Sequence, residues 1–113
     1  MLKGLIIKGD GVGKLQGYPT ANIDIPADKV HLNDGVYAAW AYVHNIKYPA
    51  ALLVMHEQKR VEVHLLDYEG ADIYGLYLEV DPVQKISEIE KLPALALQEK
   101  IINDISLIKE ILQ

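Results

Sequence analysis

Residues 35–66 read GVYAAWAYVHNIKYPAALLVMHEQKRVEVHLL, and this stretch decides the fold. It divides into three runs rich in apolar, β-branched and aromatic residues, Gly35–Val43, Lys47–Met55 and Val61–Leu66, bounded by turn chemistry. The gaps between the runs leave no room for crossover helices, so the strands belong to a barrel or sandwich and not to βαβ units. Working outward, Leu2–Lys8 and Tyr74–Val80 or a little beyond read as further strands. Asn33-Asp34-Gly35 and Glu69-Gly70 are the clearest turn signals. From Pro93 the period changes. Leu97, Ile101, Ile105, Ile108 and Leu112 recur at steps of three and four, which places them on one face of an amphipathic helix. Pro93 suits the first turn, where its missing N–H costs nothing. Ile102, Leu107 and Ile111 widen the stripe, and Asn103-Asp104 marks a candidate bend or break into two helices. A helix packed on the β-unit is the plainer expectation, and a partner-binding helix the alternative.

The chain has 113 residues, 50% of them hydrophobic and 24% charged, which is an ordinary globular composition for one domain over residues 1–113. Cysteine is absent, so no disulfide, thiolate metal site or cysteine nucleophile enters the chemistry of these residues. A formal charge of -5 argues against sequence-independent binding to nucleic acid or anionic lipid, and any phosphate must be held by local geometry. The longest apolar run, Ala50–Met55, is too short to span a bilayer, and Met1-Leu2-Lys3-Gly4 does not open a secretion signal. The expectation is a cytosolic protein that is a monomer, with no nucleic-acid or membrane partner.

Three segments carry candidate chemistry. Gly9-Asp10-Gly11-Val12-Gly13-Lys14 follows the first strand, and its glycines would let backbone N–H groups approach a phosphate. It lacks the Gly-Lys-Ser/Thr of a Walker loop, and Tyr18-Pro19 discourages the helix that a dinucleotide fingerprint needs. A hairpin turn is the alternative. Thr20 and Asn22 supply a hydroxyl and an amide oxygen two residues apart on an extended segment, where hard oxygen ligands can share Mg²⁺ with nucleotide phosphates. An ST or Asx turn after Pro19 would use the same residues. In Val61-Glu62-Val63-His64-Leu65, alternation sets the apolar residues on the core side and Glu62 with His64 on the other. That pair is either solvated or a carboxylate base beside an imidazole. His31, His44 and His56 show no ligand spacing, and Tyr37, Trp40 and Tyr42 read as strand packing or as part of an aromatic ligand wall.

Together, and in this order, the segments resemble the riboflavin kinase (flavokinase) family, the module that forms the C-terminal half of many bacterial bifunctional flavokinase/FAD synthetases. The resemblance rests on Leu2–Asp10, on Gly17-Tyr18-Pro19-Thr20-Ala21-Asn22-Ile23, on Gly35-Val36-Tyr37-Ala38, and on Val61-Glu62-Val63-His64-Leu65-Leu66-Asp67 followed by Tyr74-Gly75. It implies a small closed Greek-key β-barrel of about six strands with a C-terminal α-helix packed on it. The implied reaction transfers the γ-phosphoryl group of ATP to the 5′-hydroxyl of riboflavin with Mg²⁺, giving FMN and ADP. By the same resemblance Glu62 is the general base, Thr20 and Asn22 sit on the metal and phosphates, and Gly11, Gly13, Lys14 and Pro19 belong to the nucleotide site.

The chain departs from the pattern on the flavin side. The stretch from His56 to Lys59 is shorter than the family's, and Gly11-Val12-Gly13 stands where Gly-Arg-Gly is frequent. Counting without gaps from Tyr74-Gly75, Ser87, Ile89 and Leu92 stand where an arginine, an acid and a phenylalanine are common. The flavin ring is therefore expected to be held mainly by apolar and aromatic surface near the end of the barrel and the start of the helix. A non-catalytic flavin- or nucleotide-binding module, and a kinase of another small hydroxylated substrate, are the alternatives.

Overall fold

In the computed structural model, which describes residues 1–7, 20–25, 29–68 and 75–113, the chain forms β1 (Leu2–Ile7), β2 (Thr20–Ile23), β3 (Gly35–Val43), β4 (Ile46–Met55), β5 (Arg60–Leu65), β6 (Tyr77–Ser87) and α1 (Ala94–Ile111). The strands close into an antiparallel barrel in the order β1-β2-β5-β4-β3-β6. Within it β6-β3-β4-β5 is a Greek key, in which three hairpin-connected strands are followed by a fourth that returns beside the first. The barrel and the C-terminal helix are as the sequence led us to expect. No helix among the described residues is long and apolar enough to cross a membrane.

The three central strands form where the alternation puts them. Leu52 pairs with Val63 and Val54 with Val61, filling the barrel interior together with Ile6, Leu65, Leu78 and Val80. The β3–β4 hairpin turns at His44 and Asn45, whose φ angles of 51° and 65° give the two successive left-handed residues of a type I′ turn. Gly35 opens β3 against the end of β6. A Cβ there would lie 2.5 Å from Lys85 Cε and 3.1 Å from the Ser87 carbonyl oxygen. The lysine tip could swing aside, so it is the Ser87 carbonyl, together with a φ of 158° that side-chain-bearing residues rarely adopt, that favours glycine here.

Several boundaries differ from expectation. The four residues of β2 were anticipated as an extended segment and not as a strand. They are held by pairing with β5, at Thr20↔His64, Ala21↔Val63 and Asn22↔Glu62, and with β1. The last strand begins at Tyr77, where residues 77–80 pair with β1, and runs on to Ser87 through the polar stretch Asp81–Lys85 because β3 pairs along it. Register shifts skip Val83 and Ile86, so Pro82 sits at a bulge, where a missing N–H is tolerated. Asn103-Asp104 breaks nothing, and α1 is one continuous helix of 18 residues. Lys8, the 69–70 turn and Tyr74 lie outside the described residues.

The helix packs unevenly. Its C-terminal end buries Ile108 and Leu112 against Ala38, Ala51 and Leu66 on the outer face of the barrel. Two alanines directly paired across β3 and β4 leave room for that approach. Each buried aliphatic side chain contributes about 1.5–3 kcal/mol. Toward its N-terminal end the helix stands off, and Leu97, expected on the packed face, is 38% exposed. A cavity opens beneath that half.

Candidate active site

Because side chains alternate along a strand, the residues between the interior positions of β5 all point to the outer face. Glu62 is paired with Asn22 on one side and Leu53 on the other, and His64 with Thr20 and Ala51. The sequence left open whether this face is solvated. It is not: Glu62 is 6% exposed and His64 0%, because the helix and the segment before it cover the face. Alternation had correctly put the two residues on one side, but the cover comes from elements far along the chain.

The covered space is a cavity of about 520 Å³, within the range that small-molecule sites occupy. Its floor is the outer face of β3, β4 and β5 at Val36, Leu53, Glu62 and His64, and its roof is α1 at Leu97, Lys100, Ile101, Asp104 and Ile105. Ile89 and Leu92, from the connection between β6 and α1, form a side wall, and Met55, Gln58 and Arg60 stand at the β4–β5 end. The walls are therefore mainly apolar with a few convergent polar groups. Among the aromatic residues read as a possible ligand wall, Tyr37 is buried and donates from its hydroxyl to the Asn33 carbonyl, at 2.7 Å. Trp40 packs with the Ile108 cluster, under Lys47 at 4.1 Å. Neither lines the cavity.

Glu62 sits between two nitrogen groups. Its Oε2 is 3.5 Å from Arg60 Nη1 and its Oε1 is 3.4 Å from His64 Nε2, with the carboxylate side chain 8% exposed. The carboxylate is thus flanked by nitrogen groups on both sides at the floor of the cavity. Beside it, Asn22 Oδ1 is buried and has no hydrogen-bond partner among the described residues. A buried acceptor left unmade costs about 1–3 kcal/mol, so such an atom calls for a ligand. Among the described residues no group of three or more His, Asp or Glu could hold a metal ion. A divalent cation here would draw on neutral oxygens and on a phosphate-bearing partner, the donor set that Mg²⁺ commonly takes. Asn22 fits that role.

Thr20 is placed by its backbone, in register with His64. Gly11, Gly13, Lys14 and Pro19 lie outside the described residues. Of the positions that the resemblance placed on the flavin side, Ile89 and Leu92 line the cavity, and Ser87 accepts a hydrogen bond from Lys100 Nζ at 2.9 Å while donating to Asp104 Oδ2 at 3.0 Å. Sequence reasoning missed Arg60, Lys100 and Asp104. The signal for the last two was available, since they stand at helical spacing among Leu97, Ile101, Ile105 and Ile108, where simple packing would favour apolar residues.

The riboflavin kinase family, Flavokinase, matches residues 1–112. A bifunctional riboflavin kinase/FMN adenylyltransferase of Mycoplasma pneumoniae is 30% identical over 91% of this chain and 39% of its own length. An RNA-binding riboflavin kinase of Bacillus subtilis is 31% identical over 94% of the chain and 48% of its own length. The chain thus spans less than half of either relative. Among solved structures, riboflavin kinase from Trypanosoma brucei superposes with a TM-score of 0.76 at 21% identity, covering 98% of this chain and 75% of that one, a likeness of fold. With the match extending across the barrel and its covering helix, the chain belongs to the riboflavin kinase family.

Proposed function

We propose that this chain is a Mg²⁺-dependent riboflavin kinase, transferring the γ-phosphoryl group of ATP to the 5′-hydroxyl of riboflavin. The observation that carries the proposal is the placement of Glu62. It is a buried carboxylate at the floor of a mainly apolar cavity, one strand pairing away from a buried amide oxygen that has no hydrogen-bond partner among the described residues. Phosphoryl transfer needs mainly positioning and charge neutralisation, with a base to orient and deprotonate the nucleophile. In this reading Glu62 accepts the proton of the 5′-hydroxyl as that oxygen bonds to the γ-phosphorus. The bond from the γ-phosphorus to the β,γ-bridging oxygen breaks, and ADP leaves with that oxygen. Arg60 and His64 keep the carboxylate aimed, and the cavity beneath α1 takes the flavin ring and excludes water.

Asn22, with Thr20 two residues earlier in β2, would hold the metal against the phosphates. Mg²⁺ bound there would neutralise phosphate charge. Gly11, Gly13, Lys14 and Pro19 are assigned to the nucleotide by resemblance alone. A module that merely binds flavin has no use for a buried base, which favours the enzyme over the non-catalytic alternative.

Binding provides the test. Titration of riboflavin with the protein, followed by flavin fluorescence, is expected to show saturable binding. It should be tighter with Mg-ADP present, since the two ligands meet at Glu62 and each completes the other's wall. Clear nucleotide binding with no flavin binding in either condition would overturn the riboflavin assignment and leave a kinase of another hydroxylated substrate.

A further inference from the structure

In the roof of the cavity a lysine and an aspartate occupy positions where packing alone would favour apolar side chains. Lys100 and Asp104 lie one turn apart on α1, with side chains only 15% and 14% exposed. Lys100 Nζ is 2.7 Å from Asp104 Oδ2 and 2.9 Å from Ser87 Oγ, and the Ser87 hydroxyl donates to the same Asp104 oxygen at 3.0 Å. An ammonium carries three protons and a carboxylate two acceptor oxygens. Among the described residues these bonds engage two of the protons and one of the oxygens. One donor on Lys100 and one acceptor, Asp104 Oδ1, are uncommitted, and both residues line the cavity. A largely buried ion pair is seldom more stabilising than apolar side chains of similar volume. Its presence on the roof of a mainly apolar cavity therefore points to a ligand.

A donor beside an acceptor is the complement of a ring edge that carries a carbonyl next to an N–H. We propose that Lys100 and Asp104 read the imide edge of the planar ring in the cavity, the ammonium donating to a ring carbonyl and Asp104 Oδ1 accepting from the adjacent ring N–H. Ser87 holds the pair in place from β6. This rests on the reading of riboflavin as the substrate, whose isoalloxazine ring has such an edge. It adds orientation to a site otherwise dominated by shape. Without the pair, the apolar walls would grip a flipped or N-alkylated ring nearly as well.

The experiment compares riboflavin with N3-methylriboflavin, which keeps the ring and loses the imide N–H, by fluorescence titration of the full chain. The unmodified protein is expected to bind riboflavin roughly tenfold or more tightly than the methylated analogue. The double variant Lys100→Met/Asp104→Leu leaves neither charge unpaired and is expected to bind the two ligands equally, with circular dichroism verifying that it folds. Equal binding of the two ligands by the unmodified protein overturns the proposal without recourse to any variant. Full discrimination retained by the folded double variant overturns it too. Failure of the unmodified protein to bind riboflavin at all is a different result, which removes the substrate assignment itself.

Discussion

Glu62→Gln is expected to lower turnover by roughly 10²-fold or more while changing riboflavin and nucleotide affinity little. Glutamine has nearly the same shape and keeps an oxygen that can face Arg60 or His64, so the cavity floor should be preserved. What it loses is the capacity to take a proton. A group that acts on the proton in the transition state lowers kcat when removed, whereas one that merely contacts the substrate raises KM. The fold should tolerate the change, because Arg60 is 36% exposed and can turn to water once the carboxylate is gone. Steady-state kinetics beside fluorescence titrations separate these effects. Equal turnover in the two proteins would make Glu62 a structural partner of Arg60 and His64.

Asn22→Ala is expected to act in opposite directions on stability and on function. In the ligand-free protein Asn22 Oδ1 is a buried acceptor without a hydrogen-bond partner among the described residues. Removing it should leave the melting temperature unchanged or raise it, since an unmade buried hydrogen bond costs about 1–3 kcal/mol. Affinity for Mg-ADP should fall by roughly tenfold or more, because a hard oxygen ligand has been taken away. Affinity for ADP in chelator should change far less. A residue kept for its structural contacts would do the reverse, destabilising the barrel and sparing Mg-ADP binding. Melting curves and calorimetric titrations with and without Mg²⁺ distinguish the two.

The legibility of the site in the sequence follows from what local patterns encode. Alternation in residues 61–65 put Glu62 and His64 on one face, and the short gaps between the central runs excluded crossover helices, which was enough for the barrel. Burial of that face was not encoded locally. It depends on α1 docking through Ile108 and Leu112, more than forty residues further on. The same limit hid β2, whose four residues are too few to show a period and become a strand by pairing with β5. It also shortened the view of β6, where Asp81–Lys85 look like a polar loop until β3 pairs with them. Lys100 and Asp104 were overlooked because a helical stripe is read by its apolar members. Polar interruptions within that stripe were the informative ones.

Ile89 and Leu92 line the cavity at the junction of barrel and helix, where the flavin ring is proposed to rest, and among the described residues no tyrosine or tryptophan side chain lines it. The polar groups of that wall were not anticipated. At Ser87, where the family commonly has arginine, the side chain is bonded to a cation delivered from the helix, Lys100. A local reading of β6 could not contain that residue, since the contact joins positions 13 residues apart in sequence.

The most direct measurement of the central claim is product formation. The protein is incubated with riboflavin, ATP and Mg²⁺, the flavins are separated by chromatography, and ADP is followed in parallel. A riboflavin kinase yields FMN and ADP in equal amounts, with turnover abolished by chelation of the metal. Absence of FMN from a folded protein that binds both riboflavin and Mg-nucleotide would contradict the account.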